Sequence, residues 1–318
     1  MIQFYKTIDG ATSPIEEPER GCWVNVVSPS VDERSWLERS LGIMPEFVQS
    51  SLDDDERSHV DYDDDTGQVL VILDCPFIED DQEAEHPEIV QYDTHPLSLL
   101  FLPEQDMLVT VSLRENDALD AFEQGRVRHM NTNQRTRMLL QMLLRISQRY
   151  LAYLRNIDRQ FNANERQLRQ SMRNSELIKM LGFEKSLVYF STSLKSMEAT
   201  LTRISSGRFL RLYEDDRDLL DDVFIEIRQA MEMCTVLTGV LNGTMDTYAS
   251  VINNNLNFTM RTLTIVTIVL SIPTMIFSFY GMNVGDLPLA VNWLFALFIS
   301  IVVSAAVIVF FIRSRFFK

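Results

Sequence analysis

The stretch TLTIVTIVLSIPTMIFSFYGMN, residues 262–283, decides the fold. It carries no charged side chain, and as a helix rising 1.5 Å per residue it is long enough to cross a hydrocarbon core of ~30 Å. A second apolar run, residues 292–313, follows a short loop at 284–291, and Asp286 is the single charge between Arg261 and Arg313. Two spans joined by a tight loop predict a membrane hairpin in the lipid bilayer. Arg261 precedes the first span, Arg313, Arg315 and Lys318 follow the second, and the loop has no Lys or Arg. Basic residues stay on the cytoplasmic side, so both termini are expected in the cytoplasm of a multi-pass cell-membrane protein. The N-terminal MIQFYKTIDG lacks the basic-then-apolar pattern of a signal peptide. Cys22, Cys75 and Cys234 are scattered and odd in number, which fits a reducing compartment rather than a disulfide framework or zinc cluster.

Between Leu263 and Phe279 the polar side chains are Thr264, Thr267, Ser271, Thr274 and Ser278, spaced three, four, three and four apart. That spacing puts all five on one helix face; one turn upstream the face meets Met260 and Asn257, and downstream Gly281. Such a face serves either close helix packing or a water-filled path. Two helices cannot enclose a pore, so transport requires a ring of copies. The face holds no carboxylate or histidine. A dehydrated divalent cation needs charged oxygen ligands, whereas hydroxyls and amides bond the outside of an intact hydration shell. A neutral face therefore favours a hydrated, strongly water-binding cation such as Mg2+. Pro273 removes one backbone hydrogen bond within the span and marks a candidate bend.

The preceding residues are water-soluble in character. Eight of the ten prolines lie in the first 103 residues and none between Glu104 and Ile272. The proline-rich part, 1–130, alternates β-rich runs (Cys22–Val27, Val69–Leu73, Leu97–Leu102, Met107–Ser112) with helices at Ser30–Leu41, capped by Ser30, and Pro45–Leu52. Asp64-Asp65-Thr66-Gly67 has hairpin-turn chemistry. This predicts a cytoplasmic α/β domain with a mixed sheet. Residues 131–213 hold long antiparallel helices, one with the apolar stripe Leu139, Leu143, Ile146, Tyr150, Tyr153, Ile157 and Phe161. A stalk helix over 214–261 continues into the pore span at 262–283; after the loop come the second span at 292–313 and a cytoplasmic tail at 314–318.

Tyr280-Gly281-Met282-Asn283, at the outer end of the penultimate span, resembles the signature of the CorA family of magnesium channels. The layout agrees over nearly the whole chain, most closely from Asp222 onward. The resemblance implies a funnel-shaped homopentamer whose pore is lined by the first span, with Asn283 and the Gly281 carbonyl binding hydrated Mg2+ in an outer ring beside Tyr280 and Met282. Family pore positions fall on Asn257, Met260, Leu263, Ser271, Thr274 and Ser278, Leu263 as a hydrophobic constriction. It implies Mg2+ as both cargo and regulator, with no organic cofactor. The loop departs from the family's Met-Pro-Glu-Leu run: here it is Gly285-Asp286-Leu287-Pro288, leaving Asp286 as the outer carboxylate that attracts cations. Relatives that carry zinc often have Ile where this chain has Met282. Co2+, Ni2+ and Zn2+ remain alternative cargoes.

A net charge of −16 multiplied around a ring requires counter-ions. One cluster holds Asp53, Asp54, Asp55 and Glu56; another runs from Glu214 to Asp221 and Asp222. Asp222 aligns with a family residue that shares Mg2+ between protomers; its usual partners fall on Gln49 and Ser50, so Asp53–Asp55 are the substitutes. Mg2+ there would hold the ring shut. Eleven arginines against two acids lie between Arg126 and Arg173, expected to pair with acids or face solvent. His86 and His95, among Glu83, Glu85, Glu88 and Asp93, are expected in an exposed hairpin loop. The acidic balance disfavours nucleic acid. With no phosphate-cradling glycine loop and no nucleophile–base pair, the chain is not expected to be an enzyme. A membrane-anchored coiled-coil scaffold is the rival reading.

Overall fold

The β-rich runs pair into one seven-stranded mixed sheet. Its strands are β1 (Ile2–Ile8), β2 (Ala11–Ile15), β3 (Trp23–Val27), β4 (His59–Tyr62), β5 (Val69–Ile78), β6 (Tyr92–Leu102) and β7 (Met107–Ser112), in the order β2-β1-β3-β7-β6-β5-β4. β3 and β7 run parallel; the other neighbours are antiparallel. The structure is a computed structural model describing residues 1–79, 91–171, 174–282 and 293–313. It divides into two units, Met1–Asn242 and Gly243–Lys318, each described by itself.

Prolines that argue against strand interiors occupy three strands here. Pro14 sits on β2, the sheet's edge, where a missing N–H costs no ladder bond. Pro76 and Pro96 lie in β5 and β6 beyond the reach of the outer neighbours: β4 pairs with β5 only over Val69–Ile72, and β7 with β6 only over Leu97–Leu102. The β5–β6 ribbon therefore continues with one open side per strand, and each proline can turn its nitrogen to that side. The β4–β5 turn is fixed by Asp63, whose carboxylate accepts from Thr66 N (2.7 Å) and Thr66 Oγ1 (2.6 Å). Gly67 supplies the positive φ (+68°) that a residue with a Cβ adopts only with strain.

One sheet face is covered by α1 (Val31–Arg39) and α2 (Pro45–Ser50). Ser30 caps α1 in a reciprocal box with Glu33, satisfying two otherwise orphaned N–H groups. The core there joins Leu37, Ile43 and Phe47 to Val24, Ile72, Leu100 and Val109. After the short α3 (Asp120–Glu123) come α4 (Arg135–Ser171) and α5 (Asn174–Ser205), which contact each other and strands β5 and β6. Tyr150 of α4 and Phe190 of α5 meet edge to face at 5.0 Å, with Tyr92 of β6 against Phe190 at 6.1 Å. α6 (Arg217–Tyr280) begins after a 3-10 turn at Glu214–Asp216, and α7 spans Trp293–Arg313.

His95 corrects an expectation. It lies within β6, is 3% exposed, and its ring meets Phe77 at 5.4 Å; burial lowers its pKa and keeps it neutral. The strand extends through Pro96 to Tyr92, so no exposed loop exists at that point; His86 lies outside the described residues. Asp74 is the reverse case, a buried carboxylate whose pKa is raised by desolvation, with Ser196 donating to Oδ2 at 3.2 Å. Its folded pKa lies above the unfolded value of about 3.9, so folding takes up a proton between the two. Stability from this group is present below the unfolded pKa and is lost as pH rises through the folded one. Asp74→Asn is therefore expected to raise the melting temperature at neutral pH by a few degrees and to flatten the stability gain on acidification, read from thermal melts between pH 4 and 8. An unchanged pH profile would count against it.

Candidate functional site

The site is built on one face of α6. In the first unit α6 packs on α5: Cys234 Sγ lies 3.2 Å from Leu187 O and Arg228 Nε pairs with Glu198 at 3.0 Å. Its buried positions are Val223, Ile227, Ala230, Cys234, Leu237 and Leu241, a 4-3-4-3-4 stripe. Between them, Asp222, Ile225, Gln229, Glu232, Val236 and Gly239 are all exposed. Two of these are large hydrophobics left bare, Ile225 and Val236, each 63% exposed.

In the second unit the same alternation holds. Thr264, Thr267, Ser271, Thr274 and Ser278 are exposed, while Ile265, Val269, Ile272 and Ile276 are half-buried. At 3.6 residues per turn the two sets lie about 150° apart around the helix. α7 has its own inward stripe: Ala296 and Ser300 are buried, Ser304 and Val307 half-buried. In a unit of two long apolar helices these shielded positions are where a neighbouring helix would pack, small residues allowing close approach. The hydroxyl stripe thus lies on the side of α6 away from its half-buried positions. Both spans have the length and mean hydropathy of membrane helices (2.0 and 3.0).

Positions taken every three and four residues from Asp222, namely 222, 225, 229, 232, 236, 239, 243, 246, 250, 253, 257, 260, 264, 267, 271, 274, 278 and 281, are each exposed, although over 252–261 all residues are. This is a strict seven-residue repeat, and it takes in Asn257, Met260 and Gly281. Leu263 stands one position beside it, 58% exposed. Sequence reasoning followed the face only from Asn257 onward; it missed Glu232, Asp246, Ser250 and Asn253, because polar residues on an exposed helix carry no contrast until burial shows which face is already used.

The hydroxyls have a defined polarity. Thr264, Thr267 and Thr274 donate to the carbonyl four residues back (2.8, 2.8 and 3.2 Å), and Ser271 to Ile268 O at 2.8 Å. With the proton committed to the helix, each oxygen presents lone pairs outward. Water bound to a cation points its hydrogens outward, so this face suits a hydrated cation. Thr267, Leu270, Ser271, Thr274, Met275 and Ser278 line a shallow concavity. At the helix end, Gly281 N bonds Phe277 O at 2.9 Å, and a Cβ on Gly281 would press that carbonyl at 3.1 Å. Met282 is exposed, and Tyr280 is half-buried with its ring edge-on to Phe279. Asn283 and Asp286 lie outside the described residues.

A family model described as CorA-like Mg2+ transporter protein matches residues 18–313. This chain belongs to the CorA family. The cobalt/magnesium transport protein CorA of Methanocaldococcus jannaschii is 26% identical over 307 residues, covering 92% of this chain and 91% of the relative. The complete structure of the CorA magnesium transporter from that organism superposes with a TM-score of 0.81 at 22% identity, covering 99% of this chain and 98% of the other. Full-length CmaX follows at 0.70 and 16% identity, covering 97% and 96%. The ZntB cytoplasmic domain from Vibrio parahaemolyticus gives 0.60 at 13%, covering 79% and 98%. The fold of CorA, a soluble mixed-sheet domain with a long helix and two C-terminal membrane-length helices, is the fold found here.

The acidic residues proposed as a sensor are exposed: Asp221 and Asp222 at the start of α6, and Asp53, Asp54 and Asp55 after α2. Asp53 Oδ1 accepts from Asp55 N at 3.0 Å, a local turn. Among the described residues no three His, Cys, Asp or Glu side chains of one chain converge as a metal cage. The arginines of α4 divide: Arg135 pairs with Asp106 (3.1 Å), Arg137 with Asp216 (3.0 Å), Arg149 with Asp117 and Arg169 with Glu165 (2.7 Å), while Arg145, Arg155, Arg159 and Arg166 are exposed.

Proposed function

We propose that five copies of this chain turn the exposed seam of α6 to a common axis and conduct hydrated Mg2+ into the cell. The single observation that carries this reading is the exposure of the hydroxyl stripe on the side of α6 away from half-buried Ile265, Val269, Ile272 and Ile276, at a spacing that continues from Asp222. In a pentamer Thr264, Thr267, Ser271, Thr274 and Ser278 form stacked neutral rings, with Met260 and Leu263 narrowing the inner end and Asn257 below them. Asn283 and the Gly281 carbonyl, backed by Tyr280 and Met282, select the hydrated ion at the outer mouth, and Asp286 draws cations to it. Both termini face the cytoplasm. The membrane potential drives entry: about 2.3 kcal/mol per charge per 100 mV, twice that for a divalent ion.

Gating follows from the acidic surface. Mg2+ held between protomers by Asp222, Asp221 and Asp53–Asp55 offsets repulsion among chains of charge −16 and keeps the ring closed; depletion releases it. A ligand shifts such an equilibrium only by its differential affinity for the two states. The M. jannaschii relative is named for cobalt as well as magnesium, and a site that touches only the hydration shell separates the two weakly, so Co2+ is a second cargo.

The test is Mg2+ flux into liposomes containing the purified protein, with Co2+, Ni2+ and Zn2+ as competitors. Asn283→Ala is expected to reduce flux at least ~10-fold, the loss of one hydrogen bond to a charged group costing about 1.5–3 kcal/mol. A wild-type protein that assembles yet moves no Mg2+ would leave the scaffold reading standing instead.

A further inference from the structure

Away from the seam, the segment from the end of α5 to the first residue of α6 carries three arginines beside Glu214, Asp215 and Asp216. Arg208, Arg211 and Arg217 are exposed and have no acidic partner among the described residues. Beside them is a cavity of about 480 Å³, within the range of small-molecule sites, walled by Phe101, Phe209 and Tyr213 and floored by the first turn of α4.

Three observations within this cavity point to an anion. First, α4 begins there with a 37-residue run of aligned peptide dipoles. Its first intrahelical bond is Met138 N to Gln134 O, so the N–H groups of Arg135, Thr136 and Arg137 have no acceptor among the described residues. Such a terminus favours negative charge. Second, Thr136 lines the cavity, is 8% exposed, and its hydroxyl has no hydrogen-bond partner among the described residues, so it is free to donate to an oxygen placed in the cavity. Third, the cations differ in availability. Arg135 and Arg137 are committed to Asp106 and Asp216, but Arg211 also lines the cavity, lies over the Tyr213 ring at 5.2 Å and has no acidic partner among the described residues. Arg211 covers one face of that ring, and Tyr213 is 54% exposed, so an aromatic surface remains for a planar group.

We propose that this cavity is a binding site for a nucleotide, its phosphates held by the α4 N-terminus, Thr136 and Arg211 and its base lying against Tyr213. Asp215, also in the lining, stands where it can meet a divalent cation carried on those phosphates. The connector leads directly into α6, so occupancy would be felt at the helix that bears Asp221 and Asp222.

The experiment is calorimetric titration of the full-length protein in detergent, in buffer with chelator and no Mg2+, with ADP, pyrophosphate and adenosine as probes. ADP is expected to bind saturably at one site per chain, pyrophosphate about tenfold more weakly, and adenosine not at all. Arg211→Gln and Thr136→Val should each weaken ADP about tenfold or more, while Arg145→Gln, on the exposed face of α4, leaves it unchanged. Arg211 is exposed, so its replacement is read on a folded protein, and a melt without nucleotide verifies that for Thr136→Val. No ADP binding by the wild type, unchanged affinity in Arg211→Gln, or pyrophosphate binding as tightly as ADP would overturn the assignment. The site does not rest on the transport reading: a protein that binds ADP but passes no Mg2+ defeats that reading alone.

Discussion

Replacing Thr267, Ser271 and Thr274 together by Val, Ala and Val is expected to cut Mg2+ flux about 100-fold while the oligomer survives. Each substitution removes an outward lone pair from every copy around the axis and leaves the helix surface nearly the same shape. A net loss of about 1 kcal/mol per position, typical of one hydrogen bond, sums to about 3 kcal/mol, or roughly two decades in rate. Apolar rings also favour dewetting of a narrow passage. Volume-conserving changes at half-buried positions away from the stripe, such as Ile265→Leu or Ile272→Leu, are expected to alter flux little. If flux survives the triple replacement, the hydroxyls serve packing and the axis lies elsewhere.

The second large effect concerns closure. With Asp222 and Asp53–Asp55 all changed to Asn, raised internal Mg2+ is expected to lose its hold on the gate. The internal Mg2+ concentration that halves flux should rise at least ~10-fold, a coupling of roughly 1.4 kcal/mol and at the lower end of allosteric coupling energies. The measurement is flux against internal Mg2+ in vesicles. Inward flux that still shuts at the wild-type internal concentration would remove these carboxylates from the sensor.

Much of the fold was legible because its strongest signals are local. The two apolar spans, the capping box of Ser30 with Glu33 and the turn chemistry ending at Gly67 are set by a few neighbouring residues. What escaped was set by distant pairing. The β1–β2 hairpin holds Pro14, and only its place at the sheet's edge makes that tolerable. β5 and β6 run through Pro76 and Pro96 because their neighbours end early, which no local pattern announces. His95 was misplaced for the same reason. At the candidate site, the hydroxyl spacing was visible in the sequence, but the side of the helix it occupied was not. That depended on the shielding of Ile265 and Val269, and on α5 packing against α6 at Cys234.

The unbroken seven-residue repeat of α6 has a consequence for how such a chain can change in evolution. An insertion or deletion of one residue turns everything downstream by about 100° and would swap lipid-facing or partner-facing side chains for those on the axis. Seven residues shift the face by only ~20°. Lineages descending from this protein should therefore lengthen or shorten the helix in whole heptads, or pair a gain with a nearby loss, and confine other indels to the connectors on either side.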